Sequence, residues 1–587
     1  MARFARLAEP RVACLLIACL SFLAYLPALS GEFVYDDERF IGKNPPVTHL
    51  TAANVVRYFT DPTSQSIIGH DIYRPLRTLE FAVDWAISGG RPWFFHLRSM
   101  LYHALACVLL YAVLRRLLEA DMPALLGALA FALHPVQTES VAWITSRGDV
   151  LLLVWFLLAL LLYLRERPLL AALAFLVALL SKETAVFFPA AVFLVDLFRR
   201  ADLRPLRRWA WYGAYATMAV AYVVFWVFLV AGARLEDVGH LGGKWWGGSY
   251  PMTLLTMTKG FVHYARVIAF PVHFTVDYHV PVSTGLGVGE VVAIVILAAI
   301  AAAAVAGGRR SRLALAWFFL ALLPVSNLIR PIGIPTAERF LYLPLVGVAL
   351  WAGPVLAGHR RLAAAVLACL FVLTFARSRI WRTNDSLWFA AEKVARTPRG
   401  LDHLAGRELE AAHEARDLLK LAEPGARGPV EERMLGHARA TVRIVDDVMA
   451  LYATVIRLEP TDIAFRNLPR KANALVILGR PKEALVVARE AVRNKGGRLA
   501  YFNAALALQE LEVWDEAARH LQTAHDKGYD LTDLRPAICN LWLRAAADRE
   551  KAGDAAGALR HYRRAWGAYP DPERNAPTLE AIRRLGG

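Results

Sequence analysis

The sequence predicts an all-α protein in two parts, a bundle of membrane-spanning helices followed by a domain of helical repeats. Of its 587 residues 57% are hydrophobic, and mean hydropathy is +0.37, more apolar than a soluble protein of this length requires. Apolar runs of about 15–25 residues, the length that crosses a bilayer as a helix, recur as far as Phe375. After Arg377 the chain becomes charged and helical in pattern.

The apolar runs predict about eleven spans. The first run ends at Ser30, the fourth returns to the arginines at 165 and 167, and two short runs flank the sequence SKET. The other predicted spans are residues 97–117, 122–133, 209–231, 291–306, 313–329, 340–356 and 362–375. Residues 253–270 are ambiguous, because Lys259, His263 and Arg266 line one helix face, which favours a helix lying in the membrane interface over a span.

Basic residues cluster in short loops, which is typical of the cytoplasmic side of a membrane protein. This clustering accounts for much of the net charge of +16 without nucleic-acid binding. With the N-terminal arginines inside, residues 31–95 form the first external loop. The C-terminal domain then also lies outside. If residues 253–270 crossed the membrane, the predicted orientation of every later segment would be reversed.

The predicted membrane domain covers residues 1–376, a helical connector 377–450 and a repeat domain 451–587. Glu483 and Glu516, each followed by an alanine, stand 33 residues apart. That spacing is near the ~34-residue period of tetratricopeptide units. Segments 451–462 and 561–573 resemble closing helices, and a generic helical bundle is the alternative. Stacked units of this kind bind peptides or partner proteins on a concave face.

Ionisable groups gather in the predicted external parts of the membrane domain. At membrane depth such groups are energetically costly and are usually functional. Asp36 and Asp37 are adjacent, directly after the first span. RPLRTLEFAVDW (74–85) follows in the same predicted loop. The others lie in three motifs, HPVQTESVAWITSRGDV (134–150), SKETAVFFP (181–189) and PTAERFLYLP (335–344). An Asx cap on the following short helix is the structural alternative for the acidic pair.

These motifs, with FVYDDERFIGKNPPV before them and RSRIWRTNDSLWFAAEKV after them, occur in this order ahead of the repeats. In this combination the chain resembles the transmembrane and tetratricopeptide repeat-containing O-mannosyltransferases of the glycosyltransferase-C superfamily. The resemblance implies a polytopic glycosyltransferase-C bundle, a polyprenyl-phosphate-linked sugar as donor and an essential acidic residue in the first external loop. The composition, rich in alanine, leucine and arginine, suggests a bacterial relative.

The resemblance makes Asp36 the expected base, which takes a proton from the acceptor hydroxyl, and Asp37 its acceptor-positioning partner, although the two roles are interchangeable at this point. Cations are expected to neutralise the phosphate of the leaving group. The residues expected to bind that phosphate are Arg147, Arg339, Lys182, His263 and Arg266.

Four residues are expected to position the donor sugar or the acceptor: Glu139, His134, Glu338 and Arg74. For several of these polar residues a structural role is the alternative. Arg339 could form an ion pair with a neighbouring carboxylate, Lys182 could reach to the interface, and His134 could simply end a span. No metal-binding cluster stands out, so we expect no metal or other cofactor, although a carboxylate pair could hold a divalent ion.

The expected function is inverting transfer of a mannose-like sugar to a Ser or Thr hydroxyl of an exported protein, and no nucleic-acid partner is expected. The acceptor protein could be held by the repeats. Transfer to a glycan or lipid, or a non-enzymatic transporter or assembly scaffold, are the alternatives. The expected location is the bacterial inner membrane, with the active site and repeats on the periplasmic side.

Overall fold

The computed structural model describes residues 9–66, 72–199, 206–229, 245–278, 280–451, 462–494, 497–529, 533–571 and 575–586. Throughout these ranges the regular structure is helical. The chain divides into two compact units, Met1–Ala395 and Arg396–Gly587. The first unit therefore extends beyond the end of the hydropathy-defined membrane domain at 376, because the helix at 384–394 packs into it through Leu387 and Trp388.

The first unit contains seventeen α-helices in its described residues. They are α1 (Pro10–Ala24), α2 (Pro45–Thr48), α3 (Ala52–Thr60), α4 (Pro75–Ser88), α5 (Pro92–Leu118), α6 (Asp121–Ala132), α7 (Thr138–Ala142), α8 (Arg147–Leu164), α9 (Pro168–Ser181), α10 (Phe188–Arg199), α11 (Leu206–Leu229), α12 (Tyr250–Ala269), α13 (Val288–Ala306), α14 (Arg309–Leu322), α15 (Leu345–Gly358), α16 (Arg360–Ser378) and α17 (Asn384–Val394).

Five of these helices, α5, α8, α11, α13 and α16, are long and apolar enough to cross a membrane. Four shorter apolar helices, α1, α6, α9 and α15, accompany them. The chain is thus a membrane protein, while the count of eleven spans stays a prediction. Helix α12 is not among these nine, and the Nζ of its Lys259 lies 2.5 Å from Glu290 Oε1 at the start of α13.

Two predicted span boundaries were wrong, and proline explains both. The segment predicted at 313–329 is helical only to Leu322, because Pro324 lacks the amide hydrogen that an α-helix needs and sits in a 3₁₀ turn, Leu323–Val325. The segment predicted at 340–356 begins at Leu345, directly after Pro344. The residues before it form a separate 3₁₀ turn, Glu338–Leu341, which carries two of the candidate site residues.

The second unit consists of consecutive helices that pack on their neighbours through small residues. They are α18 (Pro398–Leu421), α19 (Arg427–Leu451), α20 (Asp462–Ile477), α21 (Pro481–Arg493), α22 (Gly497–Glu510), α23 (Trp514–Asp526), α24 (Arg535–Lys551), α25 (Ala555–Ala568) and α26 (Ala576–Gly586). Ala484 and Ala517 are fully buried at matching positions of α21 and α23. The tetratricopeptide assignment stays a prediction, and most of its segment 451–462 lies outside the described residues.

Helices α6 and α15 approach closely at two glycines. A methyl group on Gly353 would overlap the carbonyl oxygen of Pro123, and one on Gly127 would lie 2.5 Å from the carbonyl oxygen of Ala349. Both are backbone atoms, so neither can move aside as a flexible side chain would. The small residues therefore set the distance between these helices, which carry the segments on either side of the candidate site.

We expect Gly353→Ala to lower the melting temperature of the detergent-solubilised protein, by the equivalent of about 1–3 kcal/mol of overpacking. Gly358→Ala is the matched control, because it lies at the end of the same helix and a methyl group there meets no atom within 4 Å. Equal melting temperatures for the two variants would contradict the close packing of α6 on α15.

Candidate active site

The acidic pair lies on a turn that separates its two carboxylates. After α1 and a 3₁₀ turn, Leu26–Ser30, the chain is extended to Val34 and then turns at Tyr35, whose φ of 57° is left-handed. A single π-helical turn, Glu38–Gly42, follows. The side chain of Asp36 is 29% exposed, whereas Asp37 is fully buried. The two neighbouring acids therefore occupy different environments.

Asp37 joins the segment after α1 to the corner that precedes α8. Its Oδ1 accepts hydrogen bonds from the backbone amide of Thr145 at 2.8 Å and the Thr145 hydroxyl at 2.6 Å, and its Oδ2 accepts from the amide of Val34 at 3.0 Å. Burial raises the pKa of Asp37 to about 7, against the lowering effect of these hydrogen bonds, and the charge of Asp36 raises it further. Asp37 thus holds two segments of the chain together, and it binds a proton more tightly than an ordinary aspartate.

Asp36 keeps a carboxylate oxygen available. Its Oδ1 accepts from Arg39 Nη1 at 2.8 Å, three residues on and itself about one-third exposed. Its Oδ2 has no protein partner among the described residues. A partly exposed carboxylate with one open oxygen can accept a proton from a bound hydroxyl. This is the geometry that a general base requires, and it favours Asp36 over Asp37 for that role.

Two ion pairs flank the corner next to the acidic pair. Lys182 Nζ lies 2.5 Å from Asp149 Oδ1, and Arg74 donates two hydrogen bonds to Glu183, at 2.9 and 2.6 Å. Gly148 lies between the two pairs. A methyl group at this position would lie 3.3 Å from the Ser181 carbonyl oxygen and 3.7 Å from the Arg74 side chain. The structure therefore brings the predicted residues Lys182 and Arg74 together. Lys182 is paired with Asp149, and Arg74 is paired with Glu183.

Arg77 is a member of this cluster that sequence reasoning missed. Its side chain is fully buried, its Nη1 lies 3.4 Å from the Thr145 carbonyl and its guanidinium stacks 4.7 Å from the ring of Phe40. Its Nε and Nη2 have no hydrogen-bond partner among the described residues. Its sequence signals were its place in the polar segment RPLRTLEFAVDW (74–85) and its position three residues after Arg74, on the same face of α4. It supplies a positive charge near Asp37.

Arg339 and Glu139 form the second centre of the site. Glu139 accepts from the backbone amide of Arg339 at 2.9 Å and also from its guanidinium. The guanidinium lies 5.3 Å from the ring of Trp143. Its other nitrogens have no protein partner in the described part of the chain. The ion pair expected as the alternative for Arg339 exists, with Glu139 as its acid, and it leaves part of the guanidinium for a ligand.

Glu338, directly before Arg339, belongs to a third polar group. Its Oε1 accepts from the Tyr278 hydroxyl at 2.6 Å, and Arg377 Nη2 lies 2.5 Å from its Oε2. Burial raises the pKa of Glu338 to about 7, against the lowering effect of Arg377. Arg377 was not among the predicted site residues, although it is the first residue of the motif RSRIWRTNDSLWFAAEKV, because its place after an apolar run indicated the end of a span.

A cavity of about 540 Å³ lies beside this third group, with Arg377 in its wall. Its apolar lining includes Phe274 and Trp381, and Lys393 supplies a second cation. Apolar walls that also include cations suit a ligand that has both a hydrocarbon part and a negative charge.

Arg147 does not fit the phosphate-binding role expected for it. Its side chain is fully buried, and its three guanidinium nitrogens donate to Ser99 Oγ at 3.0 Å, Asp84 Oδ2 at 2.5 Å and the Phe95 carbonyl at 2.7 Å. Each of its nitrogens is therefore occupied by the protein. Arg147 joins α4, α5 and α8, and so fixes the corner that holds Thr145.

His134 is likewise occupied by the fold. Its Nδ1 accepts from the amide of Val136 at 3.2 Å, and its Nε2 lies 3.0 Å from the Ile268 carbonyl. With both ring nitrogens bonded to backbone, it caps a 3₁₀ turn and does not fit a sugar-positioning role.

The two remaining candidates lie on α12. The ring of His263 lies 4.3 Å from that of Tyr278, beside the Glu338 group, and Arg266 is exposed on the same helix. Their phosphate-binding role stays a prediction.

Within the described residues, no group of three or more His, Cys, Asp or Glu side chains could hold a metal ion. Asp36 and Asp37 have separate partners and do not converge on a common point. The absence of a metal requirement stays a prediction. The cations in the polar groups of the site are Arg339, Lys182, Arg74, Arg77 and Arg377.

Comparison with curated proteins finds relatives with one common description. The chain is 26% identical over 423 residues to the protein O-mannosyl-transferase F38B6.6 of Caenorhabditis elegans, covering 67% of this chain and 59% of that protein. It is 30% identical over 274 residues to human protein O-mannosyl-transferase TMTC2, covering 43% and 33%. With human protein O-mannosyl-transferase TMTC4 the identity is 27% over 472 residues, covering 65% and 61%.

The chain therefore matches less than two thirds of the length of these relatives. No family model matches the sequence. No solved structure shows a significant match.

The raised pKa of Asp37 predicts how stability depends on pH. The folded protein binds this proton more tightly than an unfolded chain with the ordinary value of 3.8, so the contribution of Asp37 is present below about pH 4 and is lost as the pH rises through about 7. The melting-temperature advantage of wild type over Asp37→Asn should therefore shrink between pH 5 and pH 8, by the equivalent of about 2–3 kcal/mol.

Asp61→Asn is the control for this measurement. Hydrogen bonds from Thr63 lower the pKa of Asp61, so it is ionised throughout this pH range and its contribution should stay constant. An advantage over Asp37→Asn that stays constant between pH 5 and pH 8 would show that the three donors keep Asp37 ionised.

Proposed function

We propose, from the premise that the chain belongs to the transmembrane and tetratricopeptide repeat-containing O-mannosyltransferase family, that it transfers a sugar from a polyprenyl phosphate to a Ser or Thr hydroxyl of an exported protein. The observation that carries this proposal is the divided acidic pair, with a partly exposed Asp36 beside a buried Asp37. The relatives are named as protein O-mannosyl-transferases, which supports a protein acceptor and a mannose-like sugar.

In the proposed reaction, Asp36 Oδ2 takes the proton as the acceptor oxygen attacks the anomeric carbon. The new bond joins that oxygen to the anomeric carbon, and the bond from this carbon to the phosphate oxygen breaks with inversion. The phosphate leaves with the electron pair. Arg39, 2.8 Å from the other oxygen of Asp36, keeps the carboxylate oriented. General-base catalysis of this kind accelerates reactions by about 100- to 10,000-fold.

The cations of the site are suited to a lipid phosphate. Arg339 is held by Glu139 at one edge and has donors left at the other, so it can neutralise charge that develops on the leaving group. The cavity beside Glu338 has apolar walls that suit a prenyl chain, and its lining includes a cation, Arg377. The leaving group is a monophosphate, and arginine or lysine side chains supply the charge that a metal would otherwise provide.

The second unit is proposed to hold the acceptor protein or a partner. Its consecutive helix pairs, α20–α21, α22–α23 and α24–α25, are the kind of stack that binds extended chains. The loop arginines support an orientation in which both the active site and these helices lie outside the cytoplasm. In a bacterial cell that location is the periplasmic side of the inner membrane.

Asp36→Asn should lower turnover by roughly 100- to 10,000-fold at saturating donor, because the amide cannot take the proton. Its melting temperature should stay near that of wild type, since Asp36 is partly exposed and makes one salt bridge. The measurement is transfer of labelled sugar to an acceptor peptide. Glu38→Gln is the matched control, because it removes an exposed negative charge two residues away. Near-normal turnover of Asp36→Asn would contradict its role as base.

Arg339→Ala should weaken binding of a polyprenyl-phosphate sugar by about tenfold or more, because a charge-assisted contact to phosphate is lost. Arg147→Ala should instead lower the melting temperature, by the equivalent of about 3–5 kcal/mol, since it leaves Asp84 buried with one fewer partner. Donor affinity and a melting curve for both variants separate the two roles. Unchanged affinity in folded Arg339→Ala would remove Arg339 from the donor site.

A further inference from the structure

The left-handed turn at Tyr35 is an unfavourable conformation that the surrounding structure must maintain. A bulky residue with a φ of 57° is rare, because its side chain crowds the backbone. Such conformations persist only where neighbouring groups determine them, and they concentrate at functional sites. This one stands directly before Asp36, so it decides the direction in which the chain presents both carboxylates.

The segment that maintains this turn is the start of α17. The Tyr35 amide donates to Asn384 Oδ1 at 2.8 Å, and the Glu32 amide donates to the Arg382 carbonyl at 2.8 Å. The backbone that carries Asn384 begins α17, and Thr383 caps this helix by accepting from the Ser386 amide at 3.1 Å. The contact with Tyr35 therefore links residues 349 positions apart in the sequence, from the turn to the start of a capped helix.

Aromatic rings hold the Tyr35 side chain on both sides. The Tyr35 ring centre lies 5.0 Å from that of Trp143 and 5.6 Å from that of Trp388. Trp143 stacks in turn on Trp381 at 6.2 Å. Trp143 also belongs to the corner that binds Asp37 through Thr145, so the turn is clamped between that corner and α17.

We infer that Asn384 is a positioning residue for Asp36. By accepting a hydrogen bond from the Tyr35 amide, it holds the left-handed turn that directs Asp36 outward and Asp37 inward. This inference rests on the proposed role of Asp36 as base. Without the acceptor, Tyr35 relaxes toward an ordinary backbone conformation, and the two carboxylates no longer keep their separate environments. Asn384 acts through the backbone of the turn.

The test compares Asn384→Leu, which has similar size and no acceptor, with Asn384→Asp, which keeps an oxygen at the same position. Asn384→Leu should lower kcat by roughly tenfold or more, with a smaller change in the KM for donor, and Asn384→Asp should retain most of the activity. Asn54→Leu is the control, because the Asn54 amide also bonds to backbone, at His49, in the same external segment but away from the pair.

A readout independent of activity is labelling of carboxylates with a water-soluble carbodiimide and an amine, located by peptide fragmentation. Wild type, Asn384→Asp and Asn54→Leu should be labelled at Asp36 and protected at Asp37. Asn384→Leu should be labelled at both. If Asn384→Leu does not fold, Asn384→Ala with the same two readouts takes its place.

Tyr35→Gly tests whether Asn384→Leu acts through backbone strain at Tyr35 or through a general loss of packing around the turn. Glycine adopts a positive φ without penalty, so adding Tyr35→Gly to Asn384→Leu should restore part of the protection of Asp37. Additive losses in the double variant, or wild-type labelling and turnover in Asn384→Leu, would overturn the inference. If the labelling follows the expected pattern but wild type transfers no sugar, the proposed function fails while the control of the turn by Asn384 stands.

Discussion

The hydrogen bonds between the Asp37 carboxylate and Thr145 are the interaction on which the rest of the site depends. They bind the segment after α1 to the corner before α8, and so bring residues 108 positions apart into one cluster. A buried carboxylate must be satisfied by donors, and here three donors converge on it. Because Asp37 is occupied in this way, its neighbour Asp36 is left at the surface of the site with an oxygen available for chemistry.

The arginines of this protein differ in how many of their hydrogen-bond donors are not already bonded to the protein. Arg147 is surrounded by Asp84, Ser99 and a carbonyl, and its guanidinium stabilises the junction of three helices. Arg339 pairs with the buried Glu139 at one edge of its guanidinium only, and the guanidinium lies near the ring of Trp143. Both arginines lie in polar motifs between apolar segments, and the number of guanidinium donors without a protein partner distinguishes the structural arginine from the one that can bind a ligand.

Hydropathy predicted the membrane helices well where no proline intervened, as in α5, α8 and α13. It misplaced the ends of α14 and α15, where Pro324 and Pro344 interrupt otherwise apolar runs.

The motifs located the polar residues of the site, including Lys182 and Glu139. They could not show which residues are satisfied by distant partners, as His134 is by the Ile268 carbonyl, because such pairing depends on tertiary packing. For the same reason the contribution of Arg377, which follows an apolar run, was missed until the fold placed it beside Glu338.

The central claim is that this site glycosylates proteins outside the cytoplasm, and comparison of glycopeptides from cells with and without the gene tests it most directly. Peptides of exported proteins, analysed by mass spectrometry with fragmentation that retains the sugar, should carry hexose on Ser or Thr only in cells that have the gene. Restoring the gene should restore the same sites. An unchanged set of modified Ser and Thr residues in its absence, with altered glycans or lipids instead, would contradict a protein acceptor.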